Sequence, residues 1–235
     1  KESKLVDEKG DEVPVVNDIP RFTKDESYVS GNFSLLREQH QLLQFDSVNG
    51  TNHRYDTILK RTNWEPYFFK DKLILECGCG AGPDTEILLK LGAKVVSVDL
   101  AGLDIAQKNL NNHPNVLHVQ ASIMDLPLKE KNFDIVFCHR VIQHTPNPKE
   151  TLNHILKFVK PEGDVFVHSY SNSFFQRFRW KYFLRPFTKN MDSEKLYFFL
   201  QRHANKLYAF TKPLERFLPG KVFNWIFVPF FNYCG

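Results

Sequence analysis

The sequence lacks the patterns of a disulfide framework, a zinc site, a membrane span and a secretory signal. Its four cysteines form no Cys-x-x-Cys pair, which argues against a disulfide framework and against a zinc ribbon. No apolar stretch approaches the roughly 20 residues that cross a bilayer, and the longest, residues 222–234, is interrupted by Pro229. The charged start, KESKLVDEKGDE, has no apolar core of a secretory signal. These absences predict a cytoplasmic protein without a metal site.

Positive charge is concentrated at one end of the chain. From Tyr170 onward there are 11 basic and three acidic residues, a net charge of +8, which leaves −4 for the residues before it. This segment is also crowded with aromatic residues, as in FFQRFRWKYF, and its patterns are helical. Residues 171–235 are therefore predicted to form a helical, aromatic-basic extension. It is a cap on the preceding domain, a lid over a ligand site, or a surface that contacts an anionic membrane through residues 174–231.

Before residue 170, short apolar runs alternate with helical patterns. The predicted strands are residues 72–77, 93–100, 115–120, 133–139 and 163–170, and the predicted helices are residues 84–92, 103–113 and 148–160. Strands that alternate with helices at this spacing favour parallel βαβ units. The predicted fold class is α/β, with a doubly wound, mostly parallel sheet in residues 65–170. Ligands are expected at the carboxyl ends of its strands.

Residues 1–64 precede this repeating pattern. DEVPVVNDIPRF joins a β-branched run to an Asn-Asp pair and two prolines, which indicates a small hairpin or an extended arm. Apolar residues then recur near a period of 3.6 over 33–64, so one or two helices are expected there, with a break at residues 47–52. We expect residues 1–64 to form an arm and helices that cover the ligand site.

The stretch LILECGCGAGPDT, residues 73–85, carries the clearest chemical signal. A buried-strand pattern runs into Gly78, Gly80 and Gly82 and then opens a helix, so the backbone can turn sharply and approach a ligand. The spacing disfavours a dinucleotide loop, because Pro83 stands where G-x-G-x-x-G needs its third glycine. The Gly-Lys-Ser/Thr of a phosphate loop is also missing.

Two acidic residues accompany these glycines. Glu76 directly precedes them, and Asp99 ends the next predicted strand, VVSVDL. A carboxylate at the end of that strand can accept hydrogen bonds from both hydroxyls of a ribose. The pair therefore indicates a nucleoside-containing ligand.

The order of motifs resembles the class I S-adenosylmethionine-dependent methyltransferases, in particular their type 11/12-like domains. The segment E-C-G-C-G-A-G over 76–82 and the later Asp99 are followed by Leu126-Pro127, a His-rich segment over 139–144, and Lys-Pro-Glu-Gly over 160–163. The resemblance covers roughly residues 72–170. It implies a Rossmann-like fold and S-adenosyl-L-methionine as cofactor.

The resemblance also implies which residues bind that cofactor. The loop residues Gly78, Cys79, Gly80 and Gly82 would pass beneath its methionine part, Glu76 would anchor its amino end, Asp99 would hold the ribose, and Leu100 and Ile123 would pack against the adenine. Ser122 stands where many members carry an acid that contacts the adenine amino group. A serine there can accept a hydrogen bond, but without charge assistance.

Three catalytic candidates follow the fourth predicted strand: His139, Arg140 and His144. Methyl transfer is an in-line displacement, so positioning dominates, and a base is needed only where the acceptor atom carries a proton. His144 is either that base or a residue that shapes the turn in VIQHTPNP. Arg140 either binds an acidic group of the substrate or pairs with a local carboxylate.

The segment HRVIQH, residues 139–144, limits the classes of methyl acceptor, because it stands where some DNA methyltransferases carry their signature motif. The Asn/Asp-Pro-Pro-aromatic motif of enzymes that methylate amino groups of DNA bases is absent, and Phe137-Cys138 is not the Pro-Cys of cytosine-C5 enzymes. We therefore expect an O, N or C acceptor on a small or lipid-linked molecule and no nucleic-acid partner. A non-catalytic cofactor-binding module, a nucleic-acid or protein methyltransferase, and a nicotinamide oxidoreductase are the alternatives.

The usual end of this fold, an antiparallel pair of strands, has no convincing counterpart in residues 171–235. Either the extension is a helical insertion and the chain ends before those strands, or residues 222–231 form a lone strand.

Overall fold

The computed structural model describes residues 3–6, 10, 12–23 and 42–170, together with 186, 190–192, 195–199, 202, 203, 206 and 216. The chain divides into two units, Lys1–Tyr170 and Ser171–Gly235. Most of the predicted extension, with the membrane-contact segment 174–231 and the lone strand over 222–231, lies outside the described residues. Where the structure describes the chain, no helix is long and apolar enough to cross a membrane. The three-part division at residues 64 and 170 stays a prediction.

The N-terminal residues form a small antiparallel sheet, and it includes the small hairpin predicted for DEVPVVNDIPRF. Its strands are β1 (Ser3–Val6), β2 (Glu12–Val16) and β3 (Ile19–Pro20), in that order across the sheet. Asn17 and Asp18 both have left-handed backbones, with φ of 54° and 61°. This is the geometry that a two-residue hairpin turn requires, and Asn and Asp tolerate it better than most residues.

Among the described residues between this hairpin and the central sheet there are two helices. They are α1 (Asp46–Asn49) and α2 (His53–Thr62), so the predicted break over 47–52 shortens to residues 50–52. The Asp46 carboxylate organises the start of α2, because it accepts hydrogen bonds from the N–H groups of Arg54 and Tyr55 at 3.1 and 2.9 Å. The first predicted helical residues, 33–41, lie outside the described residues.

A five-stranded parallel sheet forms the centre of the first unit, and it confirms the predicted doubly wound α/β class. The order across the sheet is β6-β5-β4-β7-β8. Its elements are β4 (Leu73–Cys77), α3 (Pro83–Lys90), β5 (Lys94–Asp99), α4 (Leu103–Asn109), β6 (Val116–Gln120), β7 (Phe133–His139), α5 (Pro148–Ile155) and β8 (Val159–His168), with 3₁₀ turns at Pro66–Phe69 and Ile142–His144.

The last strand differs from its prediction, because it begins at Val159 instead of Gly163 and shortens the preceding helix. Val159 pairs with Phe133, and the register then shifts before Ile135 pairs with Asp164. Gly163 permits this irregularity, since a Cβ there would lie 2.8 Å from the carbonyl oxygen of Asp134. Such a close backbone approach is typical of glycine in an irregular strand.

The sheet is buried on both faces, as parallel sheets require. On β4, Leu75 and Cys77 pack into one apolar cluster and Ile74 into the other. The helices α2 and α3 supply Ile58 and Ile87 to the second cluster. The alternating residues of β4 thus explain why its run reads as continuously apolar in the sequence.

Candidate active site

The carboxyl ends of the parallel strands meet at one edge of the sheet, here called the carboxyl edge. In a doubly wound sheet a crevice opens at this edge where the strand order reverses, between β4 and β7 in this chain. The predicted site residues lie at or directly after the strand ends: the glycine loop and Glu76 on β4, Asp99 and Leu100 on β5, Ser122 and Ile123 after β6, and His139, Arg140 and His144 on and after β7.

The glycine loop, residues 78–82, is fastened to the neighbouring strand. The Gly78 N–H donates to the Val98 carbonyl at 2.7 Å, and all three glycines have left-handed backbones. The Cys79 side chain is buried in a small cluster with Ile19 of the hairpin and Leu103 of α4. The Cys79 side chain therefore packs against the hairpin and α4, and the predicted contact of Cys79 with a cofactor would come from its backbone.

The Asp99 carboxylate is oriented by two backbone donors. Its Oδ2 accepts from the Gly80 N–H at 2.8 Å, and its Oδ1 accepts from the Ala101 N–H at 3.2 Å. The acid is buried at the end of β5 and is coupled to the glycine loop through the first of these bonds. This arrangement fits the predicted ribose contact, because the carboxylate is held in place before any ligand binds.

Glu76 is buried below the glycine loop. Its Oε2 accepts hydrogen bonds from the hydroxyls of Thr85 at 2.6 Å and Ser97 at 2.7 Å. Burial raises the pKa of Glu76 to about 7, although the two hydroxyls act in the opposite direction. The carboxylates of Asp84 and Asp99 add to the raised pKa. A group that titrates near neutral pH thus lies where the cofactor's amino end is expected.

The residues predicted for the adenine lie beside β5 and β6. The Leu100 carbonyl accepts from the Gln120 amide at 2.9 Å, and Ile123 is part of the buried apolar cluster that includes Val119. Ser122 shapes its own turn, because its Oγ accepts from the Met124 N–H at 3.2 Å. Contact of Ser122 with an adenine amino group stays a prediction.

His139 lies in a buried charged network. Its Nδ1 is 2.8 Å from Asp84 Oδ2, and its Nε2 is hydrogen-bonded to the guanidinium of Arg61. Since a guanidinium can only donate, Nε2 accepts, and the ring proton lies on Nδ1 and points to Asp84. Arg54 donates to the other oxygen of Asp84 at 3.0 Å. Both ring nitrogens of His139 are therefore engaged.

Burial alone would raise the pKa of Asp84, but its surroundings reverse the effect. The hydrogen bond with His139 and the positive charges of Arg54 and Arg140 hold this pKa below its ordinary value. Asp84 is therefore an ionised carboxylate. It lies in the first turn of α3 and holds His139, the last residue of β7.

Arg140 and His144, the other two catalytic candidates, lie in surroundings that differ from those of His139. Arg140 has a left-handed backbone, with φ of 61°, and its N–H donates to the His168 carbonyl at 2.7 Å. His144 is exposed at the end of the 3₁₀ turn, and its ring centroid is 6.1 Å from that of Tyr170, edge to face. The structure thus brings His144 and Tyr170 together beside the ends of β7 and β8.

Comparison with known proteins gives a match for the central part of the chain. A model of the methyltransferase domain matches residues 75–167, the segment from β4 to β8 that carries the carboxyl edge. Residues 75–167 thus match a methyltransferase domain, and this match supports the class I S-adenosylmethionine-dependent methyltransferases as the family of the core.

Relatives of this methyltransferase domain include ubiquinone biosynthesis O-methyltransferases. That of Coxiella burnetii (strain Dugway 5J108-111) is 29% identical over 108 residues, 45% of this chain and 46% of that protein. The mitochondrial one of Schizosaccharomyces pombe is 31% identical over 117 residues, 46% of this chain and 42% of that protein. A solved methyltransferase from Mesorhizobium loti has a TM-score of 0.41 and 18% identity, covering 46% and 50% of the two chains. The chain spans about half the length of the curated relatives it matches.

S-adenosylmethionine is the cofactor of this domain class, and the carboxyl edge fits it. The glycine loop supplies backbone without side chains next to the oriented carboxylate of Asp99. Glu76 supplies an acid below the loop. Among the described residues, no group of three or more His, Cys, Asp or Glu side chains could hold a metal ion.

Sequence reasoning missed the side chains that support the methyltransferase site. Thr85 and Ser97 donate to Glu76. Asp84 and Arg61 are hydrogen-bonded to His139, and Arg54 donates to Asp84. Asp84 and Thr85 had a visible signal, since they directly follow the glycine loop at the start of a helix. Arg54 and Arg61 had none, because they come from α2 and reach the site only through the packing of that helix.

Proposed function

We propose that the protein is a methyltransferase that transfers a methyl group from S-adenosylmethionine to an oxygen of a small molecule. The Asp99 carboxylate, oriented by the Gly80 and Ala101 N–H groups beside a left-handed glycine loop, is the observation that carries the proposal. The oxygen acceptor is supported by relatives named O-methyltransferases. The other acceptor atoms, nitrogen and carbon, are outcomes of the acceptor screen.

Each cofactor-binding residue has a physical task in this proposal. Asp99 accepts from the ribose hydroxyls, and Glu76 accepts from the amino end of the cofactor. The glycine loop offers its backbone to the methionine part. The bound cofactor supplies a methyl group on a positively charged sulfur, and the protein's contribution is to align the acceptor with it.

His144 is the proposed general base for a hydroxyl acceptor. It is exposed at the carboxyl edge next to Tyr170, so a substrate can reach it. His139 is a positioning residue, because Arg61 and Asp84 engage both of its ring nitrogens. Proton abstraction by His139 would first require the Arg61 hydrogen bond to break.

Asp99→Ala is expected to weaken binding of S-adenosylhomocysteine by about ten- to a hundredfold, because a charge-assisted contact to two hydroxyls is removed. Isothermal titration calorimetry on the full chain measures it. Asp104→Ala removes an exposed carboxylate that pairs with Arg21 of the hairpin, and it serves as the control with near wild-type affinity. Equal affinity of Asp99→Ala and wild type would contradict the assignment of the site.

We further propose that the acceptor is lipid-linked and that the protein works in the cytoplasm at a membrane surface. The support is the net charge of +8 and the aromatic content of the sequence from Tyr170 onward. More protein is expected to cosediment with vesicles containing about a third phosphatidylserine than with neutral vesicles. This binding is expected to fall as salt is added, because salt screens the attraction between exposed charges. Equal partition to anionic and neutral vesicles would count against membrane contact.

A further inference from the structure

Three arginines surround the end of β7. Arg54 and Arg61 come from α2, and Arg140 directly follows the strand. Burial lowers the pKa of Arg140, and the like charges of Arg61 and Arg54 lower it further. These side chains are therefore close enough to repel one another, and their convergence costs free energy in the absence of anions.

Within the described part of the chain, Asp84 is the one carboxylate that pairs with any of these arginines, and its partner is Arg54. Asp84 Oδ1 accepts from Arg54 and Asp84 Oδ2 accepts from His139, so both oxygens are occupied. Arg61 is hydrogen-bonded to His139 and forms no ion pair with a described residue. Arg140 likewise has no carboxylate partner among the described residues. Three positive charges thus face one negative charge.

The ionisable neighbour His168, which the structure describes, does not balance this excess. The Nδ1 atom of His168 is buried and has no hydrogen-bond partner among the described residues. The pKa of His168 is lowered by burial and by the electrostatic effects of Arg61, His139 and Arg140. At neutral pH this group of residues is therefore positively charged.

The backbone of Arg140 adds a second, independent cost. Its φ of 61° lies in the left-handed region, which side chains with a Cβ seldom adopt. The hydrogen bond from its N–H to the His168 carbonyl at 2.7 Å holds this conformation. Strained non-glycine residues at strand ends commonly have a functional reason. Here the strain coincides with a charge that has no carboxylate partner among the described residues.

We propose that the acceptor of this methyltransferase carries a carboxylate or a phosphate, which Arg140 and Arg61 bind beside the ends of β7 and β8. The inference rests on the proposed function. A guanidinium presents donors in a planar fork that matches both anions. Tyr170 links the two sites, because it lies near Arg140 and its ring contacts that of the proposed base, His144. The anionic group would anchor the acceptor next to this base.

The test uses the full chain saturated with S-adenosylhomocysteine and three probes: benzoate, phenyl phosphate and neutral benzamide. Isothermal titration calorimetry at constant ionic strength is expected to show that one or both anions bind about tenfold or more tightly than benzamide. The preferred anion distinguishes carboxylate from phosphate. Arg140→Gln and Arg61→Gln are each expected to weaken anion binding about tenfold and to leave benzamide binding unchanged, with Arg140→Lys in between.

Lys94→Ala is the matched control. It removes an exposed positive charge at the amino end of β5, on the opposite edge of the sheet, and anion affinity is expected to stay at the wild-type value. Equal affinity for anions and benzamide, or unchanged anion affinity in both glutamine variants, overturns the inference. Arg61 is exposed, so its variant decides if Arg140→Gln fails to fold. Loss of S-adenosylhomocysteine binding in wild type contradicts the proposed function instead, and the anions are then titrated into the protein alone.

Discussion

Gly78→Ala is expected to lower the free energy of unfolding by about 2–5 kcal/mol, because left-handed strain and overpacking add up at this position. Gly78 has a φ of 84°, and a Cβ there would lie 2.4 Å from Cγ2 and 2.6 Å from Cγ1 of Val141. Val141 belongs to the segment after β7, so the new methyl group would push the glycine loop and that segment apart. Urea unfolding at constant pH measures the change.

Two further variants separate the strain from the clash. Gly50→Ala has a similar φ of 62° and no atom within 4 Å of the new Cβ, so it is expected to cost only the strain, about 1–2 kcal/mol. Adding Val141→Ala to Gly78→Ala is expected to restore part of the loss. If Gly78→Ala costs no more than Gly50→Ala, the close approach of the glycine loop to Val141 is wrong.

The strands of the central sheet could be predicted because both of their faces are buried. A run such as LILEC is apolar throughout when Ile74 packs on one side and Leu75 on the other. The ends of β4 and β5 are also visible, since Gly78 follows β4 and Asp99 ends β5. That is why Glu76 and Asp99 could be predicted as cofactor contacts before their surroundings were known.

The start of β8 could not be predicted in the same way. Val159 joins the strand because it pairs with Phe133, and the register then shifts around a close approach between Gly163 and Asp134. Neither contact leaves a local pattern in KFVKPEGDVF. The predicted helix therefore ran on to residue 160, where the structure ends it at Ile155.

The chemical state of His139 was hidden for a related reason. Its position at the end of a strand suggested a catalytic residue, and this can be seen in the sequence. Its two partners, Asp84 and Arg61, lie 55 and 78 residues earlier in the chain. Only the packing of α2 and α3 against the sheet shows that both ring nitrogens are occupied.

Glu76→Gln is expected to remove a pH dependence of stability of roughly 3 kcal/mol, the free-energy equivalent of raising a pKa from the ordinary 4.5 to about 7. The folded state holds a proton on Glu76 in the window between these values, and the unfolded state has released it. The stability contributed by this proton is fully present below about pH 4.5 and is lost as the pH rises through about 7. Glutamine stays neutral throughout and can still accept from Thr85 and Ser97.

The quantity to measure is the difference in free energy of unfolding between Glu76→Gln and wild type, by urea titration from about pH 5 to about pH 8. The difference matters because other groups titrate as well. Burial lowers the pKa of His118 to about 4, which makes stability rise with pH in part of the same window. This contribution is common to both proteins and cancels. Glu130→Gln, at an exposed position before β7, controls for the loss of a negative charge.

The same group is expected to make cofactor binding depend on pH. An ionised Glu76 accepts from a cationic amino group, whereas its protonated form must first release a proton, so affinity for S-adenosylhomocysteine should rise up to about tenfold per pH unit below pH 7 and level off above it. Calorimetry in buffers of different ionisation enthalpy would show proton release at pH 6 in wild type and none in Glu76→Gln. A stability difference that changes with pH while the affinity does not would keep Glu76 as a buried structural acid and remove it from the cofactor contacts. A flat stability difference would mean that Glu76 is ionised across the whole range, held by Thr85 and Ser97 against the cost of its burial.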